Sequence, residues 1–359
     1  MLRSLTLPVL LLLPGTTAAQ QAERFTLGSG PVAIYNLVGS LRVEPGSGGI
    51  TVQLTRGGSD AGQLKVAQGE ISGRSTLRVI YPSDRIRGLD RSGHSSTQLR
   101  VRDDGTFGDD HDDHGRHGDD DRHGWDEGRR VRIGEGGDAL DARADLVVQV
   151  PKGARAAVHL AVGSVTVSNV DGRLSVDAQS APVTASGTRG ELSVDVGAGE
   201  VRISQAQGDL DVDTGSGSVE VTGFQGSVLS IDTGSGDVTG SDLTGDQLSV
   251  ETGSGEIRLT AVSSPRVSLE TGSGGVTAEL RKDVASLEVE TGSGDVAIRA
   301  PASLGAKVAI ETSSGDIETD FPLSVTRHAR DHVEGTIGDG QGSIEIETGS
   351  GGISLMKGS

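Results

Sequence analysis

The chain of 359 residues contains no cysteine. Disulfides, thiol nucleophiles and cysteine-based metal sites are therefore excluded. Aromatic residues make up only 2% of the chain, so a wide sandwich core packed with Trp and Phe is not expected. Glycine, by contrast, contributes 56 residues. This composition favours a thin core of stacked Val, Leu and Ile side chains, with glycine at frequent tight turns.

Basic residues are also scarce, since 32 Lys and Arg stand against 51 Asp and Glu and give a formal net charge of −19. A nucleic-acid partner is not expected, because phosphate contacts are made by Lys and Arg. Direct binding to an anionic membrane surface is disfavoured for the same reason. The acidic balance is typical of a soluble protein that attracts cations.

Long apolar runs are absent apart from one near the start, from Leu5 to Leu13. It follows a basic residue, Arg3, and precedes a small-residue cleavage site at Ala18 and Ala19. The run is about half the roughly 20 apolar residues that a spanning helix needs. We expect residues 1–19 to be a cleaved signal peptide and the mature chain to have no transmembrane segment. The protein is then exported, and is periplasmic, on the outer surface or secreted.

The most regular feature of the chain is a phrase, [DE]-T-[GS]-S-G-x-[VI], that recurs seven times. Its copies begin at Asp213, Asp232, Glu251, Glu270, Glu290, Glu311 and Glu347, in steps of 19, 19, 19, 20, 21 and 36 residues. A period near twenty is typical of stacked repeats, in which each unit buries its apolar face only against its neighbours.

One copy shows how the unit is built. Leu210 and Val212 alternate with acidic residues, which is the pattern of a strand with one buried face. Thr214 shares their parity and is expected to point inward, and a glycine corner follows before Val219 restarts the inward face. Degenerate copies extend the series upstream in steps of 18, to Asp195, Asp177 and His159. Stacking then predicts two ladders, with threonines at an inner corner and acids along the outside.

We therefore predict an all-β, single-stranded β-solenoid of about ten rungs of 18–21 residues. A right-handed β-helix is the default for parallel crossovers. Antiparallel hairpins in a sandwich could also use glycine turns, but they give no reason for a constant 19-residue step. We expect residues 20–83 to form an irregular β region or cap, residues 84–130 a disordered insert, and residues 131–359 the repeat domain, with an irregular surface excursion at 320–342.

The predicted insert contains nine Asp and four His within residues 103–124. A tract so poor in apolar residues cannot bury enough surface to fold alone. One interpretation is a solvated loop, and the other is weak binding of calcium or zinc, because Asp oxygens and His nitrogens are ligands for these ions. The candidate metal ligands are Asp109, Asp110, His111, Asp112, Asp113, His114, His117 and His123.

Catalytic motifs are absent. No G-x-G-x-x-G segment opens a helix, no phosphate-binding loop occurs, and the spacing differs from the calcium-binding nonapeptide of β-rolls. The His in the regular rungs, His159, lies on an alternating strand and is expected to be solvated. Carbohydrate-cleaving β-helices use acids on an outer face, but here acids recur in every rung, as in a scaffold. We expect no enzyme activity and no cofactor.

Several segments resemble one bacterial family. They are D-T-G-S-G-D-V (232–238), E-T-G-S-G-D-V (290–296), V-V-Q-V-P-K-G (147–153) and the ending G-T-I-G-D-G-Q-G-S-I-E-I-E-T-G-S-G-G-I (335–353). The family is a domain of unknown function catalogued as an adhesin on the basis of fold, and it is related to the head-domain family of auto-transporter adhesins. The resemblance covers about 145–356 and, loosely, 25–82. It implies an exported β-solenoid associated with the cell envelope and carries over no catalytic residues.

These observations lead to a non-enzymatic envelope scaffold or adhesin-like binding module as the first functional hypothesis. Its partners would be envelope glycans or surface proteins, bound on an outer sheet that carries Asp211, Glu220, Asp232, Glu251 and Glu270, with or without bridging cations. A second hypothesis is an envelope sensor or binder of divalent cations that uses the Asp/His tract. A third is a polysaccharide-active β-helix enzyme.

Overall fold

A computed structural model describes residues 22–28, 30–88, 96–108 and 128–358 of the chain. These residues are almost entirely β-strand and contain a single 3-10 turn, Ala61–Gln63. No helix among them is both long enough and apolar enough to cross a membrane.

The repeats form the body of the fold. The strands are β10 (Ala154–Ser168), β11 (Asp171–Ser180), β12 (Val183–Ser186), β13 (Arg189–Ala198), β14 (Val201–Ser204), β15 (Gln207–Thr214), β16 (Val219–Gln225), β17 (Val228–Thr233), β18 (Val238–Thr244), β19 (Gln247–Ser254), β20 (Ile257–Ser263), β21 (Arg266–Ser273), β22 (Val276–Leu280), β23 (Ser286–Thr291) and β24 (Val296–Ala300). Each repeat from β11 onward forms one rung of the coil and contributes two strands, whereas β10 spans both halves of its rung as a single strand.

Strands of neighbouring rungs pair in parallel and in register. The odd-numbered strands from β11 to β23 form what we call the first stack, and the even-numbered strands from β12 to β24 form the second stack. The first part of the long strand β10 pairs with β11 in the first stack, and its last part pairs with β12 in the second stack. Like residues therefore lie above one another, so that Leu210 pairs with Leu229, and Val212 with Ile231. This arrangement is the β-solenoid type of architecture that the repeat predicts.

The core lies between the two stacks and consists of the inward residues of every strand. Leu229, Val250 and Ile257 are at most 1% exposed, as are most of their equivalents in other rungs. Complete burial of one such side chain contributes roughly 1.5–3 kcal/mol. Because each rung buries its core residues only against adjacent rungs, stability is distributed along the coil.

The glycine corner between the stacks is required by close approach of the backbone. At Gly236, φ is +147°, and a Cβ there would lie 2.2 Å from the carbonyl oxygen of Gly217 in the preceding rung. Asp237, which follows this glycine, accepts a hydrogen bond at 2.9 Å from the amide of Glu256 in the next rung. At this corner the phrase thus supplies both the turn and a side-chain link to the next rung.

The threonines of the phrase form the predicted inner ladder. All seven are at most 2% exposed, and their strands pair threonine with threonine. Five hydroxyls donate to a glycine carbonyl in the neighbouring rung; the distance from Thr291 Oγ1 to Gly274 O, for example, is 3.0 Å. The hydroxyls of Thr214 and Thr233 are buried without a hydrogen-bond partner. The stacked threonines therefore bond to the turn backbone and not to one another.

A second bend, inside the second stack, uses residues with positive φ. Asn169, Gln205, Asp242 and Ala261 have φ between 54° and 59° and occupy equivalent positions in their rungs. Gly223 has the same position, with φ of 72°. The left-handed conformation costs an L-residue roughly 1–2 kcal/mol. The fold therefore imposes this bend even where the sequence does not supply glycine.

The N-terminal region closes one end of the coil. Its strands are β1 (Glu23–Thr26), β2 (Val32–Gly46), β3 (Thr51–Gly57), β4 (Lys65–Ile71), β5 (Arg74–Ile80), β6 (Arg85–Arg87), β7 (Thr97–Val101), β8 (Arg129–Gly134) and β9 (Arg143–Pro151). Strand β2 is itself a rung, because it pairs in parallel with β10 over both halves. Beyond it, β5 covers one half and β9 the other, and antiparallel pairings with β1, β3 and β4 complete the cap.

Both ends of the predicted 84–130 insert belong to a separate three-stranded sheet of β6, β8 and β7. Ile86, Val101, Val131 and Ile133 are buried beneath it, which explains why these flanks are ordered. Residues 109–127 lie outside the described part of the chain, as do residues 1–21 with the predicted signal peptide.

The C-terminal end does not follow chain order. Its strands are β25 (Ala306–Thr312), β26 (Ile317–Thr319), β27 (Leu323–His328), β28 (His332–Ile337), β29 (Gly342–Thr348) and β30 (Ile353–Lys357). The last rung, β29 and β30, is inserted between the rung of β23 and β24 and the rung of β25 and β26. The predicted excursion at 320–342 contains β27 and β28, which pair antiparallel and cover the free edge of β25.

Candidate binding surface

The outer face of the first stack carries one continuous row of carboxylates, which we call the acid file. Each member is in register with the next across paired strands. In spatial order the file is Asp177, Asp195, Asp213, Asp232, Glu251, Glu270, Glu290, Glu347 and Glu311. At a strand spacing of about 4.8 Å, it places like charges side by side along the coil. The predicted outer ladder is therefore present, with Glu347 placed between Glu290 and Glu311.

Arg and Lys side chains do not neutralise the middle of the file. Within the described ranges, Asp232, Glu251, Glu270, Glu290 and Glu347 form no ion pair with a basic residue. The file is accordingly a strip of concentrated negative potential, and dissolved salt weakens the repulsion among its exposed members.

The pKa of Glu270 reports this environment. Loss of water around the carboxylate is the largest cause of a raised pKa, and the charges of Glu251, Glu290 and Glu288 raise it further. Glu288 lies on the same strand as Glu290, in the neighbouring outer column. Loss of water and like charges at cross-strand distance therefore act in the same direction on Glu270.

A histidine stands at each end of the acid file. At one end, His159 Nδ1 lies 3.0 Å from Asp177 Oδ2. At the other end, His332 pairs with Glu311 across antiparallel strands, and its Nδ1 lies 3.4 Å from Glu311 Oε2. The two rings contact the terminal carboxylates, so the members of the file without a basic partner lie between its two ends.

The expectation of a solvated His159 is wrong, because the side chain is buried. Its ring stacks on Tyr35 at a centroid distance of 4.2 Å, and Phe107 packs edge-on at 6.3 Å. The Nε2 atom is buried without a hydrogen-bond partner. No serine hydroxyl of the described chain therefore completes a catalytic triad with His159 and Asp177. Phe107 and Gly108, from a distant part of the sequence, lie against the ring and contribute to its burial.

The structure also divides the outer surface that the sequence analysis grouped together. Asp211, Asp232, Glu251 and Glu270 lie on the first stack. Glu220, however, lies on the second stack and contacts Arg202. The prediction of one shared face is wrong for this residue because the glycine corner separates it from the acid file.

The predicted metal ligands Asp109, Asp110, His111, Asp112, Asp113, His114, His117 and His123 all lie outside the described residues. In the part of the chain that is described, no group of three or more His, Asp and Glu side chains is arranged to hold a metal ion.

Sequence reasoning missed the ring cluster around His159 and the arginines of the three-stranded sheet. The alternation of Arg85-Ile86-Arg87 and of Arg130-Val131-Arg132 is the signal of a half-buried strand. It was available in the sequence, but it lies at the edges of a segment whose composition predicts disorder. The edge-on packing of Phe107 against the cluster has no local signal, because it joins residues far apart in the chain.

Comparison with known proteins supports the family and leaves the ligand open. No curated protein matches the chain. A crystal structure from Clostridium sporogenes, of a protein whose proposed role is cell adhesion, aligns over 94% of this chain and 99% of its own, at 11% identity and a TM-score of 0.19. A likeness this distant carries no argument about fold or role. The model of the family described as Toastrack DUF4097 matches residues 133–356. Since that match spans well over half of the sequence and coincides with the stacked rungs, the chain belongs to the Toastrack DUF4097 family.

Proposed function

We propose that this protein is an exported, non-enzymatic β-solenoid that acts as an envelope scaffold or adhesin-like binding module, with the acid file as its binding surface. The observation that carries the proposal is the in-register row of carboxylates without Arg or Lys partners in its middle. Repetition argues for binding along a line, because a catalytic centre needs one distinct cluster of residues. The short apolar N-terminal run supports export.

The partner that fits this surface is cationic and extended. A basic segment of an envelope protein could pair with successive carboxylates, and an acidic envelope glycan could bind only through bridging divalent cations. Both act by charge, so binding should weaken steeply as salt rises. Contact along several rungs also compensates for the small contribution of each exposed ion pair, about 0.2–1 kcal/mol.

A paired set of variants tests the proposal. Glu251→Gln with Glu270→Gln removes two charges from the file and should weaken binding of the mature protein to envelope preparations and to arrayed basic peptides and glycans. Glu220→Gln with Glu279→Gln removes two charges from the second stack and should leave binding unchanged. Loss of binding in both pairs would assign the effect to net charge alone. A mature protein that binds no glycan, peptide or envelope preparation would contradict the proposal.

Two finer features of the coil belong to the same proposal. We infer a right-handed coil, because right-handed crossovers are the rule for parallel strands. We also infer about ten rungs, which is supported by the register that runs from His159 to Glu311. An experimental structure of the mature protein with the opposite hand would overturn the first inference.

A further inference from the structure

The three-stranded sheet of the cap presents a basic surface on an acidic protein. Strand pairing places Arg85 opposite Arg132, and Arg100 opposite Arg130, with all four side chains exposed. We call this surface the arginine face. Like charges directly opposite each other destabilise a sheet. The fold therefore accepts an unfavourable arrangement here, which points to a use for the face.

Three of these guanidinium groups are available. Within the described residues, Arg85, Arg130 and Arg132 form no ion pair, whereas Arg87 pairs with Asp141 and Arg129 with Asp84.

A groove of about 430 Å³ runs along the face. Its charged and polar lining is Asp84, Arg85, Gln98, Arg130, Arg132 and Glu135. Basic side chains outnumber acidic ones there, and Asp84 is already engaged by Arg129. The groove is open to solvent and lined by three arginines, so an anionic surface of another molecule can reach it.

We propose that the arginine face docks on the acid file of a second copy of this chain. The two surfaces are complementary in charge and in period. Arginines on adjacent strands and carboxylates on adjacent rungs both repeat at the strand spacing of about 4.8 Å. Guanidinium groups bind carboxylates in bidentate fashion, which favours arginine over lysine for such a contact.

The distribution of charge over the chain supports this occupant. From residue 152 onward, acidic residues outnumber basic ones by roughly two to one, whereas the two are nearly balanced over the described part of the cap. Each copy therefore carries a basic surface, the arginine face, and an acidic surface, the acid file, at different places. A contact between unlike surfaces of identical chains is heterologous, so it produces rings or open chains of molecules instead of two-fold symmetric dimers.

The inference rests on the proposed function for the acid file and goes beyond it by naming a partner. Sedimentation velocity of the mature protein over a concentration series tests it. We expect reversible association at low salt that is lost at roughly 0.5 M salt, where the screening length falls to roughly 4 Å. A wild-type protein that remains monomeric at every concentration in low salt would overturn the proposal.

Two charge-reversed variants provide a sharper test. The face variant carries Arg85→Glu and Arg132→Glu, and the file variant carries Glu251→Lys and Glu270→Lys. Each alone should lose self-association, while an equimolar mixture should associate again, because the reversed face meets the reversed file and the native face meets the native file. Failure of the mixture to associate would refute docking between these surfaces. Circular dichroism confirms folding, and Arg85→Gln with Arg132→Gln replaces a face variant that fails to fold.

A polyanion is the competing occupant of the arginine face. Wild-type protein that is monomeric at low salt but binds heparin, with binding lost in the face variant, would assign the face to a polyanion and reject the second copy. The proposed function is tested separately, since the face variant retains the acid file. Envelope binding that persists in the face variant while self-association is lost would separate the two proposals.

Discussion

The threonine ladder allows a prediction in which two chemically identical substitutions have opposite effects. Thr291 and Thr233 are both at most 2% exposed and occupy equivalent positions. Thr291 Oγ1 donates to Gly274 O at 3.0 Å, whereas the hydroxyl of Thr233 has no partner. Because valine closely matches the shape of threonine, Thr291→Val and Thr233→Val differ only in what the lost hydroxyl was doing.

The expected magnitudes follow from this difference. Thr291→Val removes a hydrogen bond and leaves the partly buried carbonyl of Gly274 without this donor, which should destabilise the fold by about 1–2 kcal/mol. Thr233→Val removes a buried hydroxyl whose desolvation is uncompensated, so it should stabilise the fold by about 1 kcal/mol. The two variants should therefore be separated by about 2–3 kcal/mol in their free energies of unfolding.

Urea unfolding followed by circular dichroism measures the separation through the midpoints of the transitions. Because repeat arrays can unfold in parts, hydrogen exchange of amides in the adjacent rungs should accompany it. Exchange should accelerate around the substituted rung in Thr291→Val and slow in Thr233→Val. Equal shifts in the same direction for both variants would show that hydrogen bonding does not distinguish positions in the ladder, and would refute the reasoning.

Three further predictions concern the corner, the bend and the acid file. Gly236→Ala should destabilise the fold by more than about 2 kcal/mol, because the new Cβ would meet a backbone oxygen. In the control Gly62→Ala the new Cβ meets nothing within 4 Å, so this variant should unfold thermally like the wild type. Ala261→Gly should stabilise the fold by about 0.5–1 kcal/mol, because glycine adopts a positive φ without strain. Gly223→Ala at the equivalent bend should destabilise the fold. Unchanged melting temperatures in both variants would contradict the assigned strain. The raised pKa of Glu270 means that the folded state binds its proton more tightly than the unfolded state, so its contribution to stability falls as pH rises through that raised pKa. Glu270→Gln should then stabilise the fold at neutral pH by a few tenths of a kcal/mol. At a pH below the ordinary carboxyl range the variant should show no gain in stability. An equal gain at both pH values would exclude the ionised carboxylate as its cause.

Much of the fold follows from local pattern. Alternation around Leu210 and Val212 gives the strand, the glycine pair gives the corner, and the constant step gives the register that stacks threonine on threonine. The acid file is predictable for the same reason, because residues equivalent in sequence become neighbours in space. Even the degenerate positions Asp195, Asp177 and His159 fall into register at their 18-residue steps.

Features that join distant segments could not be predicted in this way. Burial of His159 depends on Phe107, whose position near the ring is set by the three-stranded sheet. Glu220 belongs to the other stack because a corner, which the alternation alone does not orient, separates it from Asp213. The arginine face requires β6 and β8 to pair across more than forty residues.

The sequence by itself determined the repeating rung, its inward and outward faces and the ladders, because each depends on residues within one period of the chain. Only the tertiary structure decided the two ends. Strand β2 pairs with β10 although the strands of the cap lie between them in the sequence. The last rung of the sequence, β29 and β30, lies in space before the rung of β25 and β26. The physical reason is that any parallel strand with the same pattern of inward residues can pair with any other. The order of rungs is then set by which arrangement covers the exposed strand edges, and that is a property of the whole fold.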